Sequence, residues 1–152
     1  MNLPRDDRGL LHWPAEVWDT DRTLDYRPYE HQDLSGVIEL CEAEGWPSLP
    51  ADPERAHRIL TNPGVTSYVA VDADEVVGFI YLLSDGEVQA FIATMAVASG
   101  RRGQGIGTRL IREAFDASGA ERIDLLSEAD AFYEGLIHRR LSGFRLYPPF
   151  VG

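Results

Sequence analysis

The stretch from Val88 to Ser127 limits what this chain can fold into more than any other. An apolar run, VQAFIATMAV (88–97), leads into SGRRGQGIGTRLI (99–111), which carries glycines at 103, 105 and 107. A helical stripe of Ile106, Leu110, Ile111, Ala114 and Phe115 follows, stopped by Ser118-Gly119, and RIDLLS (122–127) is a second apolar run. A strand apolar on both faces belongs in the middle of a sheet. Strand, helix, strand in this order is a crossover, which joins parallel strands and is right-handed. The glycines are the anomaly, because each costs roughly 0.5–1 kcal/mol relative to alanine inside a helix. A bare backbone at a helix start suits an anion: the first amide groups lack intrahelical acceptors, and the dipole adds positive potential. The competing explanation is purely structural, a tight turn with close helix–strand packing.

The rest of the pattern completes an α/β domain. TLDYRPY (23–29) alternates as a first strand, and DLSGVIELCEAEG (33–45) puts Leu34, Val37, Ile38 and Cys41 on one helical stripe. Asp52 followed by Pro53 is an N-cap with proline at the first helical position, opening a helix with Ala56, Ile59 and Leu60 inward. VTSYVAV (65–71) and EVVGFIYLL (75–83) form a hairpin. EADAFYEGL (128–136) is helical, and GFRLYPPF (143–150) reads as a closing strand. The expected order is β-α-α-β-β-β-α-β-α-β: a mixed, largely antiparallel sheet with a central parallel βαβ crossover and helices on both faces. Residues 1–22 show no clean period and are expected to be an extension, lying across the domain or partly disordered, with 23–152 forming a single domain.

Charge narrows the function. Fourteen basic residues, all arginine, face 25 acidic ones, for a net charge of −11. Such a surface repels phosphate backbones, so no general nucleic-acid binding is expected. The arginines cluster, however, at Arg101, Arg102, Arg109 and Arg112 and again at Arg139, Arg140 and Arg145. Arg109 and Arg112 fit either a solvated helix face or contacts to an anion. No apolar run approaches the ~20 residues of a membrane span, so no membrane partner is expected and a cytoplasmic location is. The single cysteine, Cys41, excludes an internal disulfide, fits a buried packing role, and has no metal-ligand spacing around it.

Three nucleotide-binding patterns can be compared with the glycine segment. A Walker loop needs a lysine, which the chain lacks, and the dinucleotide fingerprint needs G-x-G-x-x-G where G-x-G-x-G stands. Arg102-Gly103-Gln104-Gly105-Ile106-Gly107 instead matches [RQ]-x-x-G-x-[GA]. That motif resembles the acyl-CoA pyrophosphate loop of the GNAT N-acetyltransferase superfamily. Met95-Ala96-Val97 resembles the family's fourth strand, and Phe132-Tyr133-Glu134-Gly135-Leu136 with Gly143-Phe144 resembles its FYExLGF signature. The likeness spans roughly residues 23–147.

The resemblance implies acetyl-CoA as acyl donor, no metal, and a small-molecule amine as acceptor, attacking the thioester directly in a ternary complex. Backbone groups of Gly103, Gln104, Gly105, Ile106, Gly107 and Thr108 would cradle the pyrophosphate beside Arg102. Met95, Ala96 and Val97 would pair with the pantetheine arm, with the Val97 N–H meeting the thioester carbonyl. Tyr133 occupies the general-acid position. Cys41, far from the loop in sequence, argues against a covalent acyl-enzyme. The general base is less legible, since AFIATMAV holds only Thr94 as a polar interior residue; Glu87, Gln89 and Glu128 are the nearby candidates. Two other readings stay open: a non-catalytic acyl-CoA-binding sensor, and an enzyme that modifies a protein or peptide amine. Six residues, Ile137 to Ser142, interrupt the signature before Gly143, and His138 among them could reach the acceptor. Trp46, Tyr29 and Tyr147 are candidate acceptor walls. The short C-terminus leaves a sheet edge that a homodimer or the N-terminal extension would cover.

Overall fold

The computed structural model describes Asp7 and residues 24–150, so the extension read over 1–22 lies outside the described residues apart from Asp7. Strand β1 (Asp25–Pro28) is followed by helices α1 (Leu34–Glu44) and α2 (Pro53–Leu60), then strands β2 (Val65–Asp72), β3 (Glu75–Ser84) and β4 (Gln89–Val97). Helix α3 (Ile106–Ser118), strand β5 (Arg122–Asp124) and a short α4 (Asp130–Glu134) complete the order. The strands lie side by side in sequence order; β1 to β4 are antiparallel and β5 runs parallel to β4.

Local chemistry accounts for most of these boundaries. At α2 the Asp52 carboxylate accepts from the Arg55 amide at 3.1 Å, and Pro53 sits where an amide hydrogen would have no acceptor. Both α1 and α3 stop at glycines in the left-handed region, Gly45 (φ 74°) and Gly119 (φ 76°). Gly119 is irreplaceable on a second count, because an added Cβ would lie 2.5 Å from the Gly86 carbonyl oxygen. The hairpin between β2 and β3 turns on two residues with positive φ, Ala73 (45°) and Asp74 (70°), the twist-matched geometry of a two-residue loop.

Side chains divide between two cores, one on each sheet face. Ala70, Ile80 and Leu82 meet Ile106, Leu110 and Ala114 of α3, whereas Val69 and Phe79 meet Val37 and Cys41 of α1 and Ala56 and Leu60 of α2. A bulge in β4 shifts the alternation along that strand. Tyr81 pairs with Thr94 but Leu82 pairs with Ile92, leaving Ala93 as an extra residue. Below it Ala90 and Ile92 face α3; above it Met95 and Val97 do, while Ala96 faces α1.

The closing strand expected over GFRLYPPF does not form. Residues 141–147 have no regular structure, and Phe144, Leu146 and Tyr147 are 84%, 70% and 70% exposed. An alternating pattern becomes a strand only where a neighbouring strand and a core face receive it. β5 offers only the three residues Arg122–Asp124, and Pro148 and Pro149 have no N–H to give a ladder. The parallel pair therefore stands at one end of the described sheet.

Candidate active site

The site begins where β4 loses its neighbour. β5 pairs with it only through Gln89, Ala90 and Phe91, so from Ile92 to Val97 the outer edge of β4 has no strand beside it among the described residues. Ala98 donates to the Val77 carbonyl at 2.8 Å. Bonded and non-bonded positions alternate along an antiparallel ladder, so Val97 and Met95 turn their main-chain groups away from β3. Those groups line the opened edge. The Val97 carbonyl accepts there from Arg102 Nε at 3.3 Å.

The edge leads into the glycine segment. A 3-10 turn, Ser99–Arg101, carries the chain to Gly103 (φ 76°) and Gly105 (φ 81°), both left-handed. Gly105 is the N-cap of α3 and so brings no capping side chain, and the first turn holds no acidic residue. An added Cβ at Gly103 would meet nothing within 4 Å. Backbone conformation alone calls for glycine there, and the space over it is open. Gly107 differs: a Cβ would lie 3.1 Å from Phe132 Cζ and 3.5 Å from Met95 Cε. Two of the three glycines shape an exposed backbone cradle, and the third lets α4 and β4 close against α3. A pyrophosphate fits such a cradle, with unobstructed approach and the positive end of a thirteen-residue helix beneath it.

The arginines of this segment pair with acidic side chains of the chain itself. Arg101 Nη1 lies 2.6 Å from Asp72 Oδ2 at the end of β2, and Arg102 pairs with Glu44 at the end of α1. Arg109 bonds Glu113 at 2.7 Å and stacks 4.8 Å over the Tyr26 ring, and Arg112 lies 3.7 Å from Asp116. Arg101 and Arg102 tie the loop to the ends of two other elements, and the backbone at Gly103 stays open.

Tyr133 lies on α4, half-buried against the α3 core, with Phe132 edge-on at 4.9 Å between ring centroids. Burial pushes its phenol pKa up, which keeps it a hydrogen-bond donor at neutral pH. Among the described residues its hydroxyl has no hydrogen-bond partner.

Comparison with known proteins decides the family. Residues 63–136 match the model of the acetyltransferase (GNAT) domain. The chain is 30% identical over 121 residues to N-alpha-acetyltransferase 30 of Schizosaccharomyces pombe, covering 72% of this chain and 79% of that protein. This chain belongs to the GNAT acetyltransferase family. It is similar as well to mycothiol acetyltransferase of Nocardia farcinica, 39% identical over 69 residues, which is 45% of this chain and 23% of that one. Among solved structures, an aminoglycoside acetyltransferase from an uncultured soil metagenomic sample aligns with a TM-score of 0.68 at 21% identity, over 85% of this chain and 99% of that one. The ribosomal-protein-alanine N-acetyltransferase of Brucella melitensis biovar Abortus 2308 aligns at 0.67 and 16% identity, over 83% and 99%. The latter two likenesses speak to fold. As a GNAT protein the chain is an acyl-CoA-dependent N-acyltransferase, and the family generally uses acetyl-CoA.

Within this GNAT fold the remaining candidates separate. Cys41 is fully buried and its thiol is pushed up to about 11 by burial, which suits packing and not nucleophilic chemistry. Glu87 and Glu128 are exposed, and the side chain of Gln89 bonds Asp124 and Arg122. His138 is exposed and bonds the Leu136 carbonyl at 2.8 Å. Tyr29 is buried with its hydroxyl 2.9 Å from His57 Nδ1, Tyr147 is exposed in the tail, and Trp46 is 38% exposed after α1. The sequence reading passed over Asp124. It is the third residue of RIDLLS, and nothing in the spacing said that β5 stops pairing there. Among the described residues, no group of three or more His, Cys, Asp or Glu side chains could hold a metal ion, and no helix is long and apolar enough to cross a membrane.

Proposed function

We propose that this chain transfers an acetyl group from acetyl-CoA to a primary amine of a small molecule, by direct attack in a ternary complex. The observation that carries the reading is the continuity of the opened β4 edge with the glycine-lined start of α3. One surface offers main-chain pairing to an extended arm, and the next offers amides to a diphosphate. When bound, acetyl-CoA supplies a thioester whose carbonyl carbon an amine can attack.

The chain's own residues then have distinct tasks. Gly103 to Thr108 hold the diphosphate through main-chain N–H groups, with Arg102 fixed beside them. Met95, Ala96 and Val97 align the arm along β4. The N–H of Val97 meets charge developing on the carbonyl oxygen. Tyr133 donates a hydrogen bond to the departing sulfur. A phenol of reference pKa ~10 is a weaker acid than a thiol near ~8.5, so full early proton transfer is uphill by about 2 kcal/mol. A hydrogen bond that strengthens as charge develops avoids that cost.

A peptide α-amine is the second acceptor reading, supported by the likeness to N-alpha-acetyltransferase 30. Calorimetry with acetyl-CoA and CoA, followed by thiol release across a panel of small amines and free N-terminal peptides, tests both. Carrier binding with turnover on small amines is expected. Turnover on peptides alone would move the acceptor class, and binding without acceptor-dependent thiol would make the protein a sensor.

A further inference from the structure

We propose that Asp124 receives the acceptor's ammonium group and takes its proton, and that the acceptor's apolar body lies on the sheet face away from α3. The assignment rests on the acetyl transfer proposed above. An alkyl ammonium with a pKa near 10 is neutral in about one molecule in a thousand at pH 7, a handicap of roughly 4 kcal/mol, so some group must accept that proton.

Position comes first. Asp124, opposite Phe91, is the last residue of β5 paired with β4. Its carboxylate stands where the two strands part, at the inner end of the edge that carries Met95 and Val97 further out. Direction is the second observation. Ile123 of β5 packs into the α3-side core, as do Ala90 and Ile92 of β4. Side chains alternate along strands, so Asp124, Phe91 and Gln89 face the other way, onto the side away from α3. An amine arriving there approaches the fork without crossing the donor's path.

The surroundings are the third. Leu83, 46% exposed, and Phe91 line an open hollow of about 400 Å³ together with Gln89, an apolar floor at the foot of the fork. Asp85 borders the same hollow, but its carboxylate accepts from the Glu87, Val88 and Gln89 amides and is committed to its turn. Asp124 is met by the neutral side-chain amide of Gln89, whose carbonyl oxygen accepts from Arg122 Nη2 at 3.1 Å. A carboxylate held by one neutral donor is oriented without being neutralised, and a carboxylate has about four acceptor positions to fill. Arg122 bonds the carbonyl oxygen of the same Gln89 side chain, and its charge acts on Asp85.

The balance closes simply. One proton passes from the ammonium to Asp124 and on to water, freeing the nitrogen lone pair. The N–C bond forms and the C–S bond breaks. The nitrogen sheds a second proton, and the thiolate takes one up beside Tyr133, leaving a neutral amide and a thiol.

The test compares wild type with Asp124→Asn, Asp124→Glu and Gln89→Ala, using the best amine from the panel at pH 6 to 10, with calorimetry for acetyl-CoA and melting temperatures alongside. Asp124→Asn should lower kcat/KM at pH 7 by roughly 10²–10³, the weight of a general base. Acetyl-CoA affinity should stay within about twofold, because Asp124 is assigned to the acceptor and not the donor. The deficit should shrink as pH rises toward the amine's own pKa, and Asp124→Glu should recover part of it. A pH-independent deficit, or one below about threefold, overturns the role. So does a Gln89→Ala variant that reproduces the full loss together with a lowered melting temperature. If wild-type protein binds the carrier but no amine or peptide releases thiol, the transfer itself falls; a fully active Asp124→Asn enzyme sinks only the present assignment.

Discussion

Helices α2 and α3 begin in opposite ways. At α2 the chain satisfies its own amides: the Asp52 carboxylate caps Arg55 N, Pro53 removes a donor, and Glu54 adds a negative charge in the first turn. At α3 a glycine stands at the cap, no side chain bonds the first amides, and no acid lies in the first turn. Both helices pack an apolar face equally well, with Ala56 and Leu60 buried from one and Ile106, Leu110 and Ala114 from the other. Fold stability therefore does not explain the difference. A helix start closed by its own side chain is structural, and one left open beneath exposed glycines has the character of an anion site.

The largest effect should come from making the second helix start like the first. Gly105→Asp, at a φ of 81° that aspartate tolerates better than most residues, would set a carboxylate where the diphosphate belongs. Calorimetry should show acetyl-CoA affinity falling by about 100-fold, roughly 3 kcal/mol, against a smaller loss of about 1–2 kcal/mol in folding stability from a side chain in the left-handed region. A loss of stability equal to the loss of affinity would break the comparison.

Alkali should weaken the capped side of the sheet by a similar amount. Burial pushes Cys41 from 9.0 up to about 11 and Tyr29 from 10.0 up to about 12, and both lie in the core beneath α1 and α2. A raised folded-state pKa gives stability that is complete below the unfolded value and lost as pH rises through the folded one. Urea midpoints should hold steady up to pH 9 and then fall between pH 9 and 12, with Cys41 alone accounting for about 2–3 kcal/mol. Cys41→Ala should flatten the first part of that fall.

Tyr133→Phe sharpens the contrast from the other direction, because the hydroxyl belongs to α4 and not to the cap of α3. Steady-state kinetics should show kcat lowered by about 10- to 100-fold, while calorimetric affinity for acetyl-CoA stays as it was. Equal loss of both would mean the phenol serves packing beside Phe132. The smallest effect belongs to Asp52→Ala, which should cost about 1 kcal/mol of unfolding free energy and leave acetyl-CoA binding untouched.

How much the sequence disclosed depended on whether the relevant physics was local. The α2 cap, the glycine stop of α3, the β2–β3 hairpin and the open loop at 103–107 all turn on residues within a few positions of one another. The arginine partnerships were hidden, because Arg102 finds Glu44 at 58 residues' remove and Arg101 finds Asp72 at 29. The tail misled for the same reason. GFRLYPPF has a strand's alternation, but whether β5 is long enough to receive it is a property of the fold. Asp124 was overlooked because the parting of β4 from β5 is a matter of register, and RIDLLS reads the same paired or free.

The extra residue at Ala93 divides one strand into two independently editable halves. On the reading proposed above, Gln89 and Phe91 on the inner half bear on the acceptor, and Met95 and Val97 on the outer half bear on the donor. Deleting that one alanine would close the bulge into an unbroken ladder, with Met95 still facing α3 and Ala96 still facing α1. A strand that can diversify at one end while standing still at the other lets a single architecture serve many acceptors without reinventing its grip on the donor.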